Sequence, residues 1–164
     1  MAEQIITQEY LHSIFNYRDG ILYWKIKPSN AVNIGDVAGC LDKNNYFRVT
    51  IFYKLYGVHR IIFFMHNNYL PKIIDHIDGN PKNNNINNLR EANNCSNMWN
   101  SKLHSRNTSK YKNVIFRKER NKWTCRFKVN GKNIMRGAFN TAEEANLYAI
   151  NLRNELHGEF ANHG

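Results

Sequence analysis

The chain has 164 residues, 42% of them hydrophobic, and a formal net charge of +10, which allows one ordinary domain or two very small ones and excludes wholesale disorder. No apolar run approaches the roughly 18 residues of a membrane span, and the widely separated Cys40, Cys95 and Cys125 support neither a disulfide framework nor a zinc ribbon. The first ten residues lack the pattern of a signal peptide, so we expect a cytoplasmic protein with a polyanion as partner.

The first hundred residues predict short helices and strands in alternation. Residues 7–15 have apolar side chains at helical spacing, and residues 20–26 and 46–53 are rich in aromatic and β-branched residues typical of strands. Residues 59–65 predict a short buried helix, residues 73–76 a strand that ends in Asp-His, and residues 78–81 a turn. Asn93 or Asn94 then caps a predicted helix that runs to about His104.

The last third of the chain predicts a sheet and one helix. Residues 111–118, 122–130 and 132–139 read as three strands, with Asn130-Gly131 as the hairpin turn between the last two. Thr141 and Glu144 form a capping-box pattern, and the helix that follows runs to about His157 and stops at Gly158. The expected fold class is α+β, with this sheet packed on the helix.

The positive charge is concentrated in the C-terminal part. Residues 1–100 carry a net charge of +2, whereas residues 101–136 hold 12 basic side chains and a single acid, Glu119. We therefore predict a first domain over 1–100, a linker over 101–110 and a nucleic-acid-binding domain over 111–164. Ten of the 21 residues from 80 to 100 are asparagine, which suits turns and caps and requires no special role for most of them.

The segment from residue 73 to residue 100 carries the candidate chemistry. Asp75-His76 ends a predicted strand, Asp78-Gly79-Asn80 follows in a turn, Asn88-Leu89 begins twelve residues after His76, and Asn97 lies on the predicted helix. Imidazole titrates near neutral pH, so His76 can take a proton from an attacking water. The oxygens of Asp75 and Asn97 suit Mg²⁺ or Mn²⁺.

This spacing resembles the HNH nuclease motif of phage and intron homing endonucleases, over about 58–100. The resemblance implies a ββα-metal fold in which Asp75 and Asn97 hold one divalent metal ion, His76 is the general base and Asn88 braces the loop. The third motif position is often His in that family and is Asn here; Asn100, one turn further along, is the alternative ligand. His59 and Arg60 precede the motif, where they would contact phosphate or support the site, although a partly buried structural histidine is the commoner role.

Residues 108–162 resemble the plant ethylene-response-factor (Apetala-type) DNA-binding domain. Apolar side chains alternate with Thr124, Arg126 and Lys128 along the second strand, which predicts one packed and one basic face. The resemblance implies that the basic face enters the DNA major groove. The positions that it places toward DNA are Lys112, Ile115, Arg117, Arg126, Lys128, Asn133 and Met135.

These patterns together predict a metal-dependent HNH endonuclease of the homing type. It would hydrolyse double-stranded DNA at a specific site in the bacterial cytoplasm and, as a monomer with one active site, nick one strand. The alternative is a DNA-binding regulator whose nuclease core is inactive. The sequence implies no protein partner and does not decide the oligomeric state.

Overall fold

The structure, a computed structural model, describes residues 6–129 and 131–164. Short helices and small antiparallel sheets make up the chain, which confirms the α+β class. Two compact units divide between Asn93 and Asn94. No helix within the described residues is long and apolar enough to cross a membrane.

The first unit contains two hairpins, a three-stranded sheet and two helices. In chain order these are α1 (Gln8–Ile14), β1 (Phe15–Arg18), β2 (Ile21–Trp24), β3 (Cys40–Leu41), β4 (Phe47–Ile51), β5 (Lys54–Gly57), α2 (Val58–Asn67), β6 (Ile73–His76) and β7 (Leu89–Ala92). β1 pairs with β2, β4 lies between β3 and β5, and β6 pairs with β7. The predicted helices at 7–15 and 59–65 and the strand at 73–76 are confirmed.

Helix α2 carries the core of this unit and brings its first turn toward the candidate site. Its residues Ile61, Ile62 and Met65 are buried in one apolar cluster with Leu11 of α1 and Leu22 of β2. Full burial of a side chain of this size contributes about 1.5–3 kcal/mol. The cluster therefore holds α2, with His59 in its first turn, at a defined position.

The turn between β1 and β2 packs closely against the loop that joins β6 to β7. Gly20 has φ of +86°, and a Cβ atom built on it would lie 2.6 Å from the main-chain nitrogen of Asn85 and 2.9 Å from the carbonyl carbon of Asn84. A contact that short requires the backbone of the loop to move. The absence of a side chain at Gly20 thus allows the β6–β7 loop to lie this close to the β1–β2 turn.

We expect Gly20→Ala to destabilise the protein more than Gly35→Ala does. Gly35 also has positive φ, +90°, but a Cβ there would meet nothing within 4 Å, so its alanine variant carries only backbone strain of about 1–2 kcal/mol. Gly20→Ala adds a steric term of about 1–3 kcal/mol, the usual cost of overpacking. Urea unfolding of both variants measures the difference, and equal losses would contradict the close packing.

The second unit contains a short helix, a three-stranded antiparallel sheet and a long helix. They are α3 (Asn94–Trp99), β8 (Val114–Arg117), β9 (Lys122–Val129), β10 (Lys132–Phe139) and α4 (Ala142–His157). β9 is the central strand, and α4 packs on all three. The sheet-plus-helix prediction is confirmed. Of the predicted hairpin turn, Asn130 lies outside the described residues.

Helix α4 begins with the predicted Thr141 cap, but the Glu144 carboxylate has a different hydrogen-bond partner from the one expected. The hydroxyl of Thr141 accepts a hydrogen bond from the backbone N–H of Glu144 at 3.1 Å. The Glu144 carboxylate, however, accepts from the N–H of Asn140 rather than from that of Thr141. Both bonds satisfy N–H groups that lack partners within the helix.

Helix α3 is shorter than predicted, because it ends at Trp99 and not near His104. Two polar residues follow its last turn, and the hydroxyl of Ser101 donates to the carbonyl of Met98. Side chains that bond nearby main-chain groups compete with helix continuation. His104 therefore lies outside the helix.

Candidate functional site

His76 lies at the end of β6, where its ring is buried and hydrogen-bonded. Its Nε2 atom is 3.0 Å from Oδ1 of Asn84, and the two residues are 5% and 2% exposed. Because an amide oxygen only accepts hydrogen bonds, Nε2 of His76 is the donor in this contact. Asn84 thus fixes the orientation of the His76 ring.

Two further rings surround His76. The His59 ring is centred 5.3 Å from that of His76, and the Tyr46 ring lies 5.9 Å from His76. Burial, together with the nearby His76 imidazole and Arg60 guanidinium, lowers the pKa of His59 to about 3, so His59 is neutral at pH 7. The structure therefore brings the predicted His59 into contact with His76.

Asp75 precedes His76 on the strand and forms an ion pair. Its Oδ2 atom accepts hydrogen bonds from Nε and Nη2 of Arg90 at 3.0 and 2.9 Å, and Arg90 is its direct neighbour across the β6–β7 hairpin. Both side chains are largely buried. Adjacent strand residues point to opposite faces, and here Asp75 and His76 do have different partners at the point where β6 ends.

Asn88 ties the two ends of the β6–β7 loop together. Its Oδ1 accepts from the N–H of Asp78 at 3.1 Å, and its Nδ2 donates to Oδ1 of Asp78 and to the carbonyl of Asn83. Burial raises the pKa of Asp78, but hydrogen bonds from Asn83, Asn80 and Asn88 outweigh it and leave the pKa below its usual value. A charged Asp78 therefore organises the loop that presents Asn84.

The Arg60 side chain forms hydrogen bonds within the first unit. Its guanidinium donates to the main-chain carbonyls of Pro71 and Lys72, at 3.2 and 3.3 Å. These residues lead directly into β6. Arg60 accordingly supports the strand that ends in Asp75 and His76, through bonds to main-chain carbonyl groups.

The two remaining motif candidates belong to the second unit. Asn97 is an exposed residue of α3, and Asn100 is a buried residue just after it. The Oδ1 atom of Asn100 accepts from Nδ2 of Asn162 at 3.3 Å. The amide oxygen of Asn97 is therefore more accessible than that of Asn100. This difference favours Asn97 over Asn100 as a metal ligand.

The oxygen donors on the motif fit a hard divalent cation. Among the described residues no group of three or more His, Cys, Asp or Glu side chains could hold a metal ion. Mg²⁺ and Mn²⁺ are instead held by one or two protein oxygens and keep several waters. Asp75 offers a carboxylate oxygen of this kind in the first unit, and Asn97 offers an amide oxygen in the second.

The outer face of the β8–β10 sheet is basic, as its alternation predicts. Cys125 and Phe127 of β9 are buried against Ala145 and Ala149 of α4, while Arg126 and Lys128 are exposed. Thr124 departs from the alternation: it is buried, and its hydroxyl donates to the carbonyls of Arg136 and Gly137 at a bulge in β10.

Most of the predicted DNA contacts share this outer face. A depression there is lined by Ile115, Arg126, Lys128 and Asn133, and a second by Arg117 and Met135. These six residues come from all three strands. The surface can therefore offer cationic, amide and apolar groups to one ligand.

Lys112 is placed differently from the other candidates. Its Nζ donates to the main-chain carbonyls of Trp99, at 2.7 Å, and Ser101, and burial with the nearby charge of Arg153 lowers its pKa to about 8. Arg153, fully buried, itself donates to the carbonyl of Lys112. Lys112 thus binds the chain after α3 within the second unit.

Sequence reasoning missed three members of the candidate site. Asn84 stands among neighbouring asparagines, so composition does not distinguish it. Arg90 could have been found from the hairpin register, because it lies opposite Asp75. Tyr46 begins a predicted strand, and nothing in its sequence context indicates proximity to His76.

The sequence of this segment matches a known family of domains. Residues 56–98 match the family described as HNH endonuclease, the range that includes His59, Asp75, His76, Asn88 and Asn97. No solved structure matches the chain.

A phage protein is similar to this chain over most of the phage protein's length. Protein 3.8 of Escherichia phage T7 is 38% identical over 114 residues, which cover 67% of this chain and 92% of the phage protein. The chain therefore belongs to the phage family of Protein 3.8 and carries an HNH endonuclease domain.

Proposed function

We propose that this protein is a metal-dependent endonuclease that hydrolyses phosphodiester bonds at a specific site in double-stranded DNA. The observation that carries the proposal is the buried His76–Asn84 pair inside the HNH domain. A histidine held in one orientation at the end of a strand is suited to act as a general base.

In the proposed reaction His76 takes a proton from a water molecule at Nδ1 as the water oxygen attacks phosphorus. The new bond forms between water oxygen and phosphorus, the bond to the 3′ oxygen breaks, and the products are a 5′-phosphate and a 3′-hydroxyl. The proton that the 3′ oxygen needs comes from solvent. Nε2 donates to Asn84, which leaves Nδ1 as the proposed accepting atom, and His59, being neutral, adds no positive charge beside it.

Asp75 and Asn97 would hold the divalent ion, and Asn88 would keep the loop in place around His76. When bound, the ion neutralises charge that develops on the phosphate and leaving oxygen. Arg90 orients Asp75 and balances its charge. Mg²⁺ is the expected ion, with Mn²⁺ as a substitute of similar ligand preference.

The outer face of the β8–β10 sheet would bind the DNA. Support comes from the cluster of exposed Arg126 and Lys128 with Asn133 and Met135, and from the sheet-plus-helix architecture expected of an ethylene-response-factor-type domain. Such a tethered domain raises the effective concentration of a weakly binding nuclease core at its target. As a monomer with one active site, the protein would nick one strand. The resemblance of its motif to homing endonucleases suggests a homing role, and a phage protein would act in the bacterial cytoplasm.

Supercoiled plasmid carrying phage DNA tests the proposal directly. Wild-type protein should convert it to open-circular form with Mg²⁺ or Mn²⁺ and leave it intact in EDTA. Linear product at low enzyme concentration would indicate that two copies of the protein cut opposite strands at one site. Specific binding without cleavage under every metal condition would overturn the enzyme proposal and leave a DNA-binding regulator.

We expect Arg126→Ala and Lys128→Ala to weaken DNA binding before they affect the chemical step. Each lost phosphate contact lowers the slope of log affinity against log salt concentration by about 1. Fluorescence anisotropy between 50 and 200 mM salt, conditions in which this dependence is steep, measures the effect. Lys43→Ala, an exposed lysine of the first unit, serves as the control, and an equal loss there would contradict a sheet-based interface.

A further inference from the structure

The helix that carries Asn97 is too short to be stable alone. Helix α3 has six residues, well below the roughly 12–15 at which isolated helices become even marginally stable in water. Its orientation must therefore come from side chains and main chain packed against it. Within the second unit, several such contacts meet at its C-terminal end.

The first contact is Lys112, which precedes β8. Its ammonium donates to the carbonyls of Trp99 and Ser101. The last carbonyls of a helix have no partner within the helix, and a cation there also interacts favourably with the helix dipole. Lys112 thus fixes the point at which α3 ends.

The second and third contacts come from the end of α4 and the residues after it. The Trp99 ring stacks on His157, with centroids 4.5 Å apart and planes 4° from parallel. Nδ2 of Asn162 donates to the main-chain carbonyl of Asn100 at 2.9 Å and to its side-chain oxygen. Asn100 is only 5% exposed, so this junction is shielded from water.

We propose that Asn162, His157 and Lys112 are positioning residues for Asn97, so that contacts within the second unit orient this proposed metal ligand. The inference rests on the proposed function, in which Asn97 is a metal ligand. Partners that orient a metal ligand typically change metal affinity or activity by about 10–100-fold when mutated. Asn97 would then depend on Lys112, 15 positions further along the chain, and on His157 and Asn162, 60 and 65 positions further.

The Mg²⁺ dependence of cleavage by the full-length Asn162→Asp variant tests this proposal. The substitution keeps the shape of the side chain and removes the donor to Asn100. We expect the Mg²⁺ concentration for half-maximal nicking to rise by about ten-fold, while DNA affinity measured in EDTA changes no more than in the control. Asn151→Asp, an exposed position on α4, introduces the same charge and is the matched control.

Two outcomes separate failure of the inference from failure of the proposed function. If wild-type protein does not cleave, the proposed function is wrong. If wild type cleaves and Asn162→Asp shows the Mg²⁺ dependence of Asn151→Asp, the positioning role is wrong.

Lys112→Met provides a second variant if Asn162→Asp fails to fold. It removes the ammonium but retains the aliphatic stem. A positioning role predicts a higher Mg²⁺ requirement with unchanged salt dependence of DNA binding. A direct phosphate contact predicts the reverse, with a salt slope lower by about 1, and that result would overturn the proposal for Lys112.

Discussion

Replacement of His76 by alanine should lower the rate of plasmid nicking by about 10²–10⁴-fold, the usual contribution of a general base. The substitution removes the atom proposed to accept the proton from water. DNA affinity should stay close to that of wild type, because the proposed DNA-binding surface lies in the other unit. Single-turnover nicking with saturating Mg²⁺, alongside anisotropy in EDTA, separates the two effects.

Two companion variants make this result specific. His76→Ala also removes the hydrogen-bond partner of buried Asn84, which costs about 1–3 kcal/mol of stability. His76→Gln retains an N–H group able to donate to Asn84, and we expect it to fold better while remaining as inactive. His12→Ala, at an exposed histidine of the same unit, should cleave normally; nicking by His76→Gln at the rate of that control would exclude His76 as the base.

The Arg90→Ala variant should lose about 3–5 kcal/mol of stability, the cost of removing one partner from a buried ion pair. It leaves the Asp75 carboxylate in a largely buried position without the guanidinium that bonds Oδ2. Urea unfolding at neutral pH measures the loss. If Asp75 binds the metal, millimolar Mg²⁺ should restore part of the stability, because a ligand that binds only the folded state stabilises it.

The double variant Asp75→Asn with Arg90→Met is the control for this experiment. It removes both charges and keeps approximate side-chain volume, so it should be more stable than Arg90→Ala. It should also gain little stability from Mg²⁺. A gain equal to that of Arg90→Ala would show that Mg²⁺ acts elsewhere in the protein.

Much of the fold could be predicted because its signals are local. The aromatic and β-branched runs, the Thr141 cap and the alternation along β9 each depend on neighbouring residues, and the structure contains the elements they indicate. Strand β5 was missed because it is joined to β4 by Phe52 and Tyr53, both with positive φ. Such turns normally use Gly, Asn or Asp, so no turn signal was present.

The candidate site was only partly predictable, because its remaining members depend on tertiary contacts. The motif spacing indicated His76 and Asp75, and the structure adds Asn84 and Arg90 as their bonded partners. Asn84 differs from its neighbours only in being buried against His76, which no local pattern encodes. The resemblance to the ethylene-response-factor domain places Lys112 toward DNA, whereas in the structure its ammonium bonds the end of α3, an arrangement set by packing within the second unit.

The asparagine-rich loop between β6 and β7 has a consequence for how cleavage should respond to acidity. Amide groups gain and lose no proton in the range where enzymes are assayed, and Asp78, the loop's one carboxylate, has a lowered pKa. Neutral His59 likewise has a pKa of about 3. The β6–β7 loop and His59 thus keep their charge and their hydrogen bonds from mildly acidic to alkaline buffers. A pH–rate profile measured over this range therefore reports on the reacting groups rather than on a loosening of the loop.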